Sequence, residues 1–163
     1  MASNSTPTAL AAAHGRAMQA LLTTALAATL VVAAATSAPG LSLTGRGQLS
    51  GRGAGTARLE GSGTFYVRGT GTLTLRDPGD AEVEMRGFAF ARQLPCGFKV
   101  YRGSGWVRVS GDDTMVKLDG DIDQMRACGG GTCYLRGDGR YRVRSRTRLW
   151  KHTGVYVRFD LTR

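Results

Sequence analysis

Polar and apolar residues alternate along the middle of the chain in five-residue runs at 56–60, 64–68 and 72–76, separated by Gly61-Ser-Gly63 and Gly69-Thr-Gly71, so the unit repeats every eight residues. The apolar side chains Ala57, Leu59, Phe65, Val67, Leu73, Leu75, Ala81, Val83 and Met85 share one parity, and residues of one parity share one face of a strand. The pattern predicts an all-β domain built as a Gly-rich antiparallel meander, sandwich or barrel-like, over one apolar face. A three-residue loop ending in a left-handed glycine preserves parity across a reversal, so each Gly-x-Gly triplet reads as a hairpin turn with a bulge. A small β-solenoid is the alternative, because Gly55, Gly79 and Gly103 are spaced 24 residues apart, as are Gly63, Gly87 and Gly111. The meander is preferred because consecutive strands usually lie side by side.

Further strands are predicted at 81–85, 88–91, 98–102, 105–110, 114–118 and 155–161. Asp77-Pro-Gly-Asp80 is a turn with a mechanism: Pro78 presets φ and Gly79 accepts a positive one. The stretch from Gln93 to Gly97 breaks the eight-residue beat with a longer loop. Trp106 reads as a cap on the edge of the core. No 3.6-residue apolar period survives the frequent glycines, which excludes a long helix after residue 40.

Residues 1–40 differ in kind. Their single charged side chain is Arg16, followed by an uncharged Ala- and Leu-rich run that ends before Pro39-Gly40. That arrangement predicts a signal peptide, with an uncleaved membrane anchor or an organellar transit segment as alternatives. Residues 41–163 form the single β domain, exported to the periplasm, cell surface or medium. Most predicted strands there are too short for a membrane barrel, whose spanning strands need about nine to eleven residues.

Composition adds one pointer to partners. The chain has 163 residues, 24 of them Gly, and a formal charge of +10. Such a balance favours acidic partners: anionic polysaccharide, nucleic acid or an anionic lipid surface.

Several residues carry a resemblance. Gly61-Ser-Gly-Thr64, Val67, Gly69, Gly71, Leu73, Leu75-Arg-Asp77, Gly79-Asp-Ala81, Glu84 and Gly87 are one group. Leu94-Pro95, Gly97, Tyr101, Gly103, Gly105 and Val109-Ser-Gly111 are another, with Tyr134 to Tyr141 the third. Together they resemble a family of Gly-rich all-β bacterial proteins, over roughly residues 44–150. The resemblance implies an exported or membrane-anchored all-β protein and carries no activity. The three Cys and the more basic C-terminal part depart from that pattern.

Candidate chemistry is sparse. Cys128 and Cys133 flank Gly129-Gly-Gly-Thr132, a spacing that suits a disulfide across a hairpin loop, or else two reduced thiols. Cys96 is left over. With no Cys-x-x-Cys pair, no phosphate-cradling glycine pattern and no calcium-loop Glu after Asp119-Gly-Asp121-Ile-Asp123, no metal or cofactor is expected. Arg136-Gly-Asp138 reads as part of a Gly-Asp-Gly hairpin turn. No nucleophile elbow is present.

The sharpest feature is Arg140, Arg142, Arg144, Arg146 and Arg148, alternating with Tyr141 and Val143. On one strand these guanidinium groups would stand on one face about 6.6 Å apart, suited to a polyanion. An outer strand made soluble by its charges would look the same. The function expected is a structural or binding module of the cell envelope, more a binder than an enzyme. The alternative is a hydrolase or lyase acting on acidic polysaccharide.

Overall fold

A computed structural model describes residues 41–162; the targeting segment expected at 1–40 lies outside the described residues. The described chain is all-β, as the alternation predicts. Its strands are β1 (Leu41–Arg46), β2 (Leu49–Arg76), β3 (Glu82–Gln93), β4 (Phe98–Val143), β5 (Arg146–Leu149) and β6 (Val155–Thr162).

The glycine triplets do not reverse the chain. β2 runs without interruption through Gly53, Gly61 and Gly69, and β4 through Gly103, Gly120 and Gly137. Most residues of β2 pair antiparallel with β4 on both edges: Leu59 faces Val116 on one side and Cys133 on the other, and Phe65 faces Val109 and Ala127. β3 continues in the direction of β2 and pairs with the other edge of β4, so that Val83 also faces Val109. One long hairpin, with arms 49–93 and 98–143, therefore wraps its two arms around each other as a flattened double-stranded coil. Its reversal is the loop at Leu94–Gly97, closed by Leu94 N–H donating to the Phe98 carbonyl at 2.8 Å. Asp77 caps its own turn by accepting from Gly79 N–H at 2.8 Å, but this turn is a corner of the coil.

The corners explain the glycines. Gly55 faces Gly137 and Gly120, and Gly71 faces Gly120 and Gly103, so bends stack on bends. A Cβ on Gly55 would lie 2.1 Å from the Arg136 carbonyl oxygen, and its φ is +133°. Only a residue without a side chain fits there. The chain bends instead of reversing because the opposite arm bends at the same level, which keeps the ladder hydrogen-bonded.

The core is the narrow interior of the coil. One wall stacks Val83, Val109, Phe65, Ala127, Leu49 and Val143 in consecutive layers; the other stacks Leu75, Val116, Leu59, Cys133, Val157 and Leu41. The walls meet across the middle, where Phe65 and Phe159 contact edge to face at 6.2 Å. Each fully buried large apolar side chain contributes about 1.5–3 kcal/mol, and their spread over every layer leaves no layer unsupported.

β4 keeps its apolar residues inside by slipping parity twice. Asp112 and Asp113 both stand opposite Ser62, with Asp113 at φ 47°, and Asp123 is skipped between Ile122 and Gln124. Between these bulges the inward residues are even-numbered: Thr114, Val116, Leu118 and Ile122. Thr114 is the polar exception, and its hydroxyl donates to the Gly61 carbonyl at 3.3 Å.

Candidate functional site

The five predicted arginines do not share a strand. The chain reverses at Arg144 and Ser145, with Arg144 at φ 55°, and β5 returns alongside β4. Arg140 pairs with Leu149 and Arg142 with Thr147, while Arg148 pairs with Tyr141 and Arg146 with Val143. Directly opposed residues point the same way. Arg140 and Arg142 therefore project outward, whereas Arg146 and Arg148 project to the side of Tyr141 and Val143. They stand with Leu41 and Ser42 at one end of the coil. Arg144 donates from Nη2 to the Thr44 carbonyl, tying the turn to β1. The even-numbered periodicity is real; the turn inside it is what divides the set.

Nor can Cys128 and Cys133 bond. Both lie on β4, opposite Thr64 and Leu59 on either side of a corner, with Cys128 turned outward and Cys133 inward, so their side chains point apart and cannot be bridged. All three cysteines are free. Cys133 is buried inside the coil, and burial pushes its thiol pKa well up; Cys128 faces outward, its thiol 3.3 Å from the Leu161 carbonyl. The Arg136-Gly-Asp138 tripeptide is likewise a corner, where Asp138 meets His152 Nε2 at 3.1 Å.

What the fold does assemble is an arginine face around two aromatic rings. Outside the wall containing Phe65, Arg108 and Arg126 flank Tyr66 on its two sides, and Ser50 stands between Arg126 and Arg142. In the adjoining row Trp106 stands between Arg86 and Arg68, and farther along Arg52 faces Arg140. Strands lie about 4.8 Å apart, so Arg108, Arg126 and Arg142 recur every second strand at about 9.6 Å along the coil axis. Arg86, Arg68 and Arg52 form a parallel track. Between the tracks Tyr66 and Trp106 stack, with ring centroids 6.1 Å apart and an interplanar angle of 24°. Trp106 thus stands on the outer surface instead of capping the core; Trp150 is the buried tryptophan.

Acids on this face are few and exposed. Glu84 meets Arg108 at 3.9 Å and Asp123 meets Arg68 at 4.0 Å, both loose surface pairs that bind the guanidinium groups weakly. On the opposite outer face the acids are held more closely: Glu60 takes both Arg58 and Arg76, and Lys117 holds Asp119 at 2.7 Å. The arginines of the Tyr66 side are therefore the more loosely paired. A groove of about 580 Å³ opens there, lined by Tyr66, Thr64, Arg108, Gln124, Arg126 and Cys128, with Gly47 and Gln48 at its rim. A second, lined by Arg52, Gln124, Arg140 and Arg142 among others, continues it past Gln124.

Among the described residues no three of His, Cys, Asp and Glu gather as a metal site, and no helix is long and apolar enough to cross a membrane. No family model, curated protein or solved structure matches this chain.

Arg52, Arg68, Arg86, Arg108 and Arg126 carry no short-range signal in the sequence. Their signal is a coil-length spacing: each arm places an arginine at intervals of 16 to 18 residues, in the series 52, 68, 86 and 108, 126, 142. That spacing acquires meaning only once the length of one turn of the coil is known.

Proposed function

We propose that this protein is a non-enzymatic binding module of the cell envelope that holds a polyanion along the Tyr66 face. The observation that carries this reading is the stacked Tyr66–Trp106 pair set between two tracks of exposed arginines. Guanidinium forks suit phosphate, sulfate and carboxylate groups, and an exposed aromatic platform adds stacking for a planar or ring-shaped unit. Of the arginines first singled out, Arg140 and Arg142 belong to this face. Arg144, Arg146 and Arg148 serve the turn and the end of the coil.

A hydrolase or lyase acting on acidic polysaccharide is the other class. The Glu84–Arg108 pair is the nearest arrangement of acid beside cation on this face, and Glu84 stands half exposed on an open sheet. That favours holding a chain over cutting one.

The test is retention of the protein on single-stranded DNA, heparin and anionic vesicles across a salt series. Serine at Arg68, Arg108 and Arg126 is expected to flatten the DNA salt slope by about two, at roughly 0.7 for each phosphate left without its arginine. Serine at Arg146 and Arg148 is expected to leave it unchanged. Trp106→Ala should cost about 1–3 kcal/mol on DNA through lost stacking, and less on heparin, which has no aromatic bases. Equal salt slopes for the wild type and both arginine variants would defeat the proposal.

A further inference from the structure

β3 ends the coil at one side, and its second edge has no partner among the described residues: its ladder runs to β4 alone. Natural proteins usually blunt such an edge with proline, a lysine or a covering loop. Here the stretch from Gly87 to Ala91 is uncharged and free of proline. The apolar residues that should close this end are incompletely covered. Val83, Met85 and Phe88 are only partly buried, and Phe90 is 60% exposed.

We infer that a second copy of this chain completes the end, its β3 pairing antiparallel with β3 of the first about a two-fold axis at the Arg86–Gly87 corner. Three features of the strand fit that occupant. Every arm in the coil is flanked by arms of opposite direction, and a strand running against β3 continues that pattern, as β3 of a second copy related by a two-fold axis does. Placing the axis at the corner sets bend against bend, which the flattened coil requires for the ladder to continue.

Register supplies the third. Val83 and Met85 point inward before the corner, and Phe88 and Phe90 point inward after it, opposite Gly103 and Tyr101. About the axis, Val83 meets Phe90 of the second copy and Met85 meets Phe88, so the apolar interior runs on from one molecule to the other. On the outside Glu84 meets Ala89. Because Ala91 is skipped in the ladder between Phe90 and Arg92, Glu82 meets Arg92 of the second copy. Each dimer thus holds the Glu82–Arg92 pair twice, once on either side of the axis. Within one molecule those residues lie at opposite ends of β3, on different walls of the coil.

That separation makes a charge swap decisive. The full chain is studied by sedimentation across a concentration series in mild detergent, with Glu82→Arg, Arg92→Glu and the double variant. A dimer is expected for the wild type, with β3 amides gaining hydrogen-exchange protection as it forms. Each single variant should weaken it about tenfold by opposing like charges on both sides of the axis, and the double variant should restore it. Phe90→Lys should abolish it while leaving the β2–β4 ladder protected. A wild type that stays monomeric at about 100 μM, the range in which weak pairs form, overturns the inference, whether β3 is bare or covered by another segment or partner. So does a double variant no tighter than the singles. The polyanion reading is independent, since neither Glu82 nor Arg92 lines the grooves beside Tyr66.

Discussion

Replacing a corner glycine by alanine separates two explanations of the glycine content: flexibility, or lack of room. Gly55 and Gly130 both belong to glycine-rich segments and both lie in extended chain. At Gly55 the backbone is at φ +133°, and an added Cβ would sit 2.1 Å from the Arg136 carbonyl oxygen and 3.0 Å from Gly137 Cα. The unfavourable φ costs an L-residue about 1–3 kcal/mol. Relieving the clash requires the two strands to part by roughly 1 Å, which weakens the adjacent ladder hydrogen bonds at about 1 kcal/mol each. Gly55→Ala should therefore destabilise the domain by about 3–5 kcal/mol. At Gly130 nothing lies within 4 Å of the added Cβ. Gly130→Ala should fall within about 0.5 kcal/mol of wild type, helped by the reduced entropy of the unfolded chain. Urea unfolding of both variants, followed by tryptophan fluorescence and circular dichroism, measures the difference. Equal loss at the two sites would refute the stacked-corner account, as would a Gly55→Ala protein as stable as wild type.

Two further outcomes follow from the interior. Phe65 is fully buried and meets Phe159 edge to face across the coil, so Phe65→Ala should lower unfolding free energy by about 3–5 kcal/mol; a loss below about 1 kcal/mol in urea, far under the usual cost of such a truncation, would mean that the two walls do not meet as described. Burial raises the Cys133 thiol pKa in the folded chain above its ordinary 9.0, so the unfolded chain ionises first, and this contribution is intact below about pH 9 and lost above it. By about pH 10 the loss should reach about 1.4 kcal/mol relative to neutral pH. Cys133→Ala should remove that part of the alkaline decline; burial also raises the Tyr141 pKa, against a lowering by Arg148, and its share should persist. An identical decline in the Cys133→Ala variant would contradict the buried-thiol assignment.

Alternation and turn residues alone specify that the described chain is all-β, which parity of β2 faces inward, and where two interruptions fall, at Asp77–Asp80 and at Gln93–Gly97, of which Gln93 in fact ends β3. These are local matters: alternation fixes the faces of a strand, and proline and glycine set the turn chemistry. The role of the glycines depends on contacts across the fold. The same Gly-x-Gly triplet can reverse a chain or bend it, and the outcome depends on whether another glycine corner lies across the ladder, as Gly137 does from Gly55. That partner is far away along the chain, beyond any local signal. Once the bends stack, the consequences propagate. Cys128 and Cys133 fall on either side of a corner of β4, turned apart, and cannot bridge, bulges at Asp112–Asp113 and Asp123 correct the parity of β4, and the reversal at Arg144 splits the basic run. Arginines one coil apart are drawn into two tracks beside Tyr66 and Trp106, because a coil converts a long sequence interval into a spacing of two strands.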